Sequence, residues 1–344
     1  MCEDNEYINM IMSKTIYKFD YKQNCFDILR LVAITIVMLS HAFRHFGIEK
    51  PSYLLFLTDG SIGVMMFFAM SGFLIMGAYE RSLQKGNSYW NFILNRILRL
   101  YPAIVCSFLI LSIYRFIFTG LSPISIEYLK FSLDYLFLGR YGALWVIPVE
   151  IVFYIVTPIV YNMRGGKKYL WILILLIFWQ FNIWDKFLIA NLQKIPVLGR
   201  YFGIDFFICF IYEFLIGSFL YFNKDVIISI LEKKWILFLV WGCFIAWYIV
   251  YSYTEIIPAF GEMHNAVNGM FVPFLTIFTG YIYNRRIKLD ISYGIFIYHM
   301  LVINFLKTVN VNGIWGILIT LVITPIIALV SAITVERIAL RYKK

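Results

Sequence analysis

The chain has 344 residues, of which 61% are hydrophobic and only 15% charged, and its mean hydropathy is +0.78. Soluble domains run roughly 45–50% apolar and 25% charged, so the composition excludes a soluble globular protein and specifies a lipid-facing one. The net charge of +10 does not signal nucleic acid, because Lys and Arg fall in short clusters between apolar runs, which is how membrane topology is encoded.

The first 25 residues, MCEDNEYINMIMSKTIYKFDYKQNC, are polar and mixed in charge, and read as a cytoplasmic segment with no cleavable leader. A membrane crossing needs about 20 apolar residues for ~30 Å of hydrocarbon. By that measure ten spans are expected, at 28–47, 60–79, 101–119, 143–162, 169–184, 204–222, 235–253, 266–283, 290–308 and 313–334. SIEYLKFSLDYLFLG (125–139) precedes the fourth as a short re-entrant or interfacial piece, with a break at LGRYGALW. Ten spans put both termini on one side. Basic residues concentrate there and in loops such as MRGGKK and YNRRIK, whereas SYTEIIPAFGEMHN has none, so the termini are expected in the cytoplasm. Residues 337–344 form a short basic tail. The predicted fold class is therefore all-α, a polytopic membrane protein of about ten helices.

The first span holds RLVAITIVMLSH (30–41). Eleven residues separate Arg30 from His41, which leaves about 20° after whole helical turns and about 16 Å along the axis. Both therefore project from nearly one face, Arg30 at the membrane edge and His41 near its middle. Asp27, three residues before Arg30, can pair with it. An ionisable group at membrane depth is by default functional, and neutral imidazole is the natural general base near pH 7. A histidine hydrogen-bonded between helices is the plainer alternative, and a His41/His45 metal pair is a further one.

The second span, GSIGVMMFFAMSGFLI, carries Gly60, Gly63, Ser71 and Gly72, small residues that permit close helix approach. NFILNRILRLYP (91–102) places Arg96 and Arg99 on one face just before the third span. They read either as topology-setting cations in a cytoplasmic loop or as a phosphate clamp, since guanidinium forks suit phosphate oxygens. ALWVIPVEIVFY (143–154) buries Glu150 well inside a span, with Tyr154 one turn on. ISYGIFIYH brings His299 near mid-depth in the ninth. Five cysteines, Cys2, Cys25, Cys106, Cys209 and Cys243, lack paired spacing, so neither a disulfide framework nor a metal cluster is expected.

Taken in order, FDILRLVAITIVMLSH, GVMMFFAMSGFLI, NRILRLYP, LWVIPVEIVFY and ISYGIFIYH resemble the acyltransferase-3 family of bacterial integral-membrane O-acyltransferases, over residues 26–299. The resemblance implies a membrane acyltransferase domain over 26–336 and a multi-pass location in the bacterial cytoplasmic membrane. It implies transfer of an acyl group, most often acetyl from acetyl-CoA, to a hydroxyl of a cell-surface polysaccharide or its lipid-linked precursor. It makes His41 the catalytic histidine with Arg30 in support and Glu150 beside them, and gives Arg96, Arg99 and Tyr101 the acyl-CoA. Asp27, Ser71, Trp145, Tyr154 and His299 become supporting or substrate-contacting residues. No metal is expected. The expected partners are the glycan acceptor, the lipid bilayer and other membrane proteins of glycan biosynthesis. ITVERIALRYKK departs from the family's usual ending, and without an appended hydrolase-like domain the chain is expected to act alone or to hand its acyl group on. The rival expectation is a transporter or flippase that exports a glycan, using His41 and Glu150 as a proton relay.

Overall fold

A backbone deprived of water must satisfy its own hydrogen bonds, and a helix does so within one segment. The computed structural model describes residues 24–51, 55–120, 122–183, 204–225, 234–253, 258–282, 287 and 289–342, and no strand occurs among them. The N-terminal segment 1–25 lies almost wholly outside these residues, as do most of YNRRIK and the tip of SYTEIIPAFGEMHN.

The principal helices are α1 (Phe26–His45), α2 (Gly60–Gln84), α3 (Tyr89–Thr119), α4 (Ile126–Leu136), α5 (Val146–Asn162), α6 (Lys168–Ile183), α7 (Ile204–Phe222), α8 (Lys234–Tyr253), α9 (Pro258–Ile282), α10 (Ser292–Thr308) and α11 (Gly313–Ser331). Among the described residues, five helical segments are long and apolar enough to cross a membrane by length and composition: Phe26–His45, Gly60–Gln84, Tyr89–Thr119, Gly142–Gly165 and Gly313–Ala339. Shorter apolar helices cover Lys168–Trp179, Phe210–Phe222, Trp235–Val250 and Val267–Tyr281.

Two boundaries bear on the reading of the sequence, one as expected and one not. The break at LGRYGALW is present: Ser125 caps α4 by accepting from the Tyr128 N–H, and a 3-10 turn over Gly142–Trp145 starts the next helix. α4 buries Phe131 and Tyr135 and exposes Ile126, Leu129 and Leu133, so it is a separate helix lying on α3. Residues 91–102, by contrast, are no loop. Ser88 accepts from the Asn91 N–H and opens a helix of 31 residues that runs straight through Pro102. Proline removes a donor and disturbs the preceding turn. Close by, the Tyr293 hydroxyl donates to the Leu100 carbonyl at 2.6 Å and ties this helix to the one that carries Tyr293. Arg96 and Arg99 thus ride on a membrane helix.

α2 is the centre of the bundle, packing against α1, α5, α7 and α9. Small residues make that possible. A Cβ on Gly72 would run into the Phe214 carbonyl of α7, and one on Gly217 into the Ala69 carbonyl of α2, so the two backbones touch through a reciprocal pair of glycines. α10 lies against α1, α3 and α11. The site forms where α1, α2, α3, α5 and α10 converge.

Candidate active site

Helical periodicity sets Arg30 and His41 on one side of α1, and the neighbours of each differ. Arg30 Nη1 donates to Asp27 at 2.8 Å and to Asp290 at 2.9 Å, and Arg99 Nη2 lies 3.8 Å from the same Asp290 carboxylate. Asp290 ends the connection into α10, where its Oδ1 accepts from both the backbone N–H and the hydroxyl of Ser292. Such a turn suits an Asp two residues before a helix. Burial would raise the Asp290 carboxyl, but Arg30, the Ser292 hydroxyl and Arg99 outweigh it and hold it below the usual carboxylate range. One carboxylate therefore ties α1, α3 and α10 together.

Above this network is a cavity of about 120 Å³ lined by Arg30, Arg96, Arg99, Ser71, Glu150, Tyr154, Tyr293 and Phe296, among others. Three guanidinium groups share its lining with the single carboxylate of Glu150. Glu150 accepts from the Ser71 hydroxyl at 2.9 Å and from the Tyr154 hydroxyl at 3.0 Å. Arg96 leans over the Phe92 ring at 5.3 Å, and its Nε is buried without a hydrogen-bond partner among the described residues. A buried charged donor left open is costly. The cavity therefore presents a buried donor that could take an additional acceptor.

His41 stands beyond the cavity. Its ring centroid lies 5.3 Å from that of His299 and 6.2 Å from that of His45. Phe296 belongs to both places, since it lines the cavity and its ring lies 6.3 Å from His299 and 6.5 Å from Phe67, also a cavity residue. An aromatic partition therefore separates the cation-lined chamber from the paired imidazoles. Among the described residues no group of three or more His, Cys, Asp and Glu gathers.

The structure thus brings Arg30, Ser71, Arg96, Arg99, Glu150 and Tyr154 to one cavity, with Asp27 behind Arg30, and sets His41 beside His299 outside it. Two expected residues lie elsewhere. Tyr101 packs toward Phe137, with ring centroids 6.5 Å apart, and Trp145 stacks on Phe210 at 5.5 Å. Neither lines the cavity. Asp290, Tyr293 and Phe296 were not foreseen. The Asp-x-Ser start of α10 was a legible capping signal for Asp290, whereas nothing in the sequence singled out Tyr293 or Phe296 from the many other aromatics.

Charged groups held inside an apolar helical bundle, around a cavity with an unmet cationic donor, mark a candidate functional site. The comparisons make the class specific. The family described as "Acyltransferase domain" matches residues 23–336, nearly the whole chain, and the protein belongs to that family. It is similar to an O-acetyl transferase of Shigella phage Sf6, 32% identical over 177 residues that cover 46% of this chain and 51% of that protein. The match thus spans about half the length of that relative. It is also similar to Nodulation protein 10 of Rhizobium leguminosarum bv. viciae, 26% identical over 368 positions that cover 93% of this chain and 94% of that protein. No solved structure matches. The chain is accordingly an acyltransferase with apolar membrane helices, and family membership displaces the transporter alternative.

Proposed function

We propose that the protein is an integral-membrane O-acyltransferase that moves an acyl group, most often acetyl, from acyl-CoA to a hydroxyl of a cell-surface polysaccharide or its lipid-linked precursor. It would do so in a bacterial cytoplasmic membrane, with both termini in the cytoplasm. The observation that carries the reading is a cation-lined cavity with an open Arg96 donor, joined through Phe296 and His299 to the ring of His41. Arg96 and Arg99 would hold the phosphates of acyl-CoA, because planar guanidinium groups meet phosphate oxygens two at a time. The Asp27–Arg30–Asp290 network would fix Arg99 for that task. Glu150, held by Ser71 and Tyr154, would set the electrostatic balance of the chamber opposite Arg96. The long pantetheine arm would carry the thioester past Phe296 toward His41.

At that point the acceptor hydroxyl oxygen attacks the thioester carbonyl while His41 takes its proton. The carbon–sulfur bond then breaks, and the protonated imidazole returns the proton to the departing CoA thiolate. The products are the ester and free CoA, with no net proton change. The O-acetyl transferase name of the phage relative supports acetyl as the group carried and a hydroxyl as its target.

The test is transfer in proteoliposomes. Purified protein given acetyl-CoA and a lipid-linked or free glycan should release CoA thiol in step with one acetyl added to the glycan by mass. Glycan translocation with unchanged mass would overturn the assignment.

A further inference from the structure

His299 is fully buried, and its Nδ1 lies 2.8 Å from the Phe296 carbonyl oxygen and 3.1 Å from that of Ile295. Carbonyl oxygens only accept, so Nδ1 must carry the hydrogen and donate. A neutral imidazole holds one hydrogen, and so Nε2 of His299 bears a bare lone pair. That nitrogen is buried and has no hydrogen-bond partner among the described residues. The His299 ring lies 5.3 Å from the ring of His41, centroid to centroid, with the planes inclined by 42°. A buried acceptor with nothing to accept from is rare in a folded protein unless the site uses it.

We infer that His299 is a positioning residue for acyl transfer, its Nε2 accepting the N–H of His41 so that the other His41 nitrogen faces the acceptor hydroxyl. The contact is open in the resting structure. A turn of the His41 ring about its broad χ2 torsion, or one bridging water, closes it. The logic is that of the carboxylate behind the histidine of a serine-hydrolase triad, with a neutral imidazole in place of the charge. His299 has no second hydrogen to offer, so it cannot hold His41 in the wrong tautomer. When His41 takes the hydroxyl proton, its remaining N–H becomes a charge-assisted donor to His299 and the bond strengthens. A neutral acceptor suits a bundle interior, where a permanent carboxylate would be costly.

The proposal rests on the acyltransferase reading, and the experiment separates the two. Wild type, His299→Phe and His299→Gln are compared in the proteoliposome assay. His299→Phe fills the same space without an acceptor, and His299→Gln returns an amide oxygen near the Nε2 position. The Phe variant should lose about 10²-fold in kcat, within the range of positioned acid–base groups, while its KM for acetyl-CoA stays within twofold. The Gln variant should recover at least tenfold of that loss. In a His41→Ala background the Phe replacement should cost nothing more, because the group it positions is gone. Equal activity of Phe variant and wild type, no recovery by Gln, or a full additional loss in the His41→Ala background would each overturn the proposal. If His299→Phe does not purify as a folded protein, the Gln variant decides alone: additional loss on adding it to His41→Ala overturns the proposal, and no additional loss supports it. A wild type that transfers nothing defeats the underlying reading instead.

Discussion

The cation-lined cavity and the histidine pair beyond Phe296 are built on opposite principles. Around Arg30 almost every polar atom is engaged: Asp27, Asp290, Arg99 and Ser292 form one network, and Glu150 is held by two hydroxyls. Around His41 the rings of His45 and His299 lie within reach, and the Nε2 lone pair of His299 is unspent among the described residues. The first region is fixed in advance and suits binding, where ordering groups beforehand saves the cost of ordering them later. The second keeps open valences, which suits a step in which a proton must move. Arg96 is the exception that links them, a charged donor left open inside the ordered region.

If the division is real, replacements on the two sides should fail differently. The largest effect belongs to His41→Ala, which should lower transfer on the order of 10³-fold, a general base being worth 10²–10⁴, with membrane expression unchanged. Substantial transfer by that variant would place the chemistry elsewhere. Next comes the double replacement of Arg96 and Arg99 by Gln. Charge-assisted hydrogen bonds contribute roughly 1.5–3 kcal/mol each, so KM for acyl-CoA should rise about 10²-fold while KM for the glycan stays put. A rise in both would mean that the arginines shape the fold rather than grip the donor. Glu150→Gln should be milder. The amide oxygen can still accept from Ser71 and Tyr154, so only the charge is lost, and a fall of about tenfold, ~1.4 kcal/mol, is expected in kcat/KM for acyl-CoA. A glycan-specific defect would assign Glu150 to the acceptor instead of the donor.

Much of this was legible in the residues, for reasons that can be named. The eleven-residue interval from Arg30 to His41 is a statement about one helix, and helix geometry is local; the structure keeps both on the face toward α10. Gly72 announced close packing for the same reason, as a property of one small residue. What the sequence concealed was pairwise. Asp290 stands 260 positions from Arg30, and no periodicity within one segment connects them. Tyr293 and Phe296 were lost among 25 tyrosines and 33 phenylalanines, since an aromatic ring reads alike whether it anchors at a lipid surface or partitions a site. That α3 begins at Tyr89 and continues through Pro102 was hidden as well, since a proline commonly marks a helix boundary. Tyr101 and Trp145 illustrate the converse, residues adjacent to motif positions that the helix turns away from the cavity.

The smallest predicted effect tests the ordered chamber without touching chemistry. Asp290→Asn removes the carboxylate shared by Arg30 and Arg99, and should lower stability by about 1–2 kcal/mol, between the values of exposed and buried pairs. The sign of its pH dependence follows from linkage. The Asp290 carboxyl is held below its ordinary range in the folded protein. Its contribution is therefore complete above the unfolded carboxylate value of about 3.9 and fades as pH falls through that value toward the lower folded one. The melting temperature of wild type in detergent should exceed that of Asp290→Asn at neutral pH, and the two should converge on acidification below about pH 4. A gap that persists undiminished at the acid end would mean that Asp290 acts through the shape of the Ser292 turn, which an asparagine at that position retains, and not through its charge. The ordered chamber would then owe its rigidity to the helix start, and Arg30 would be left with Asp27 as its anchor.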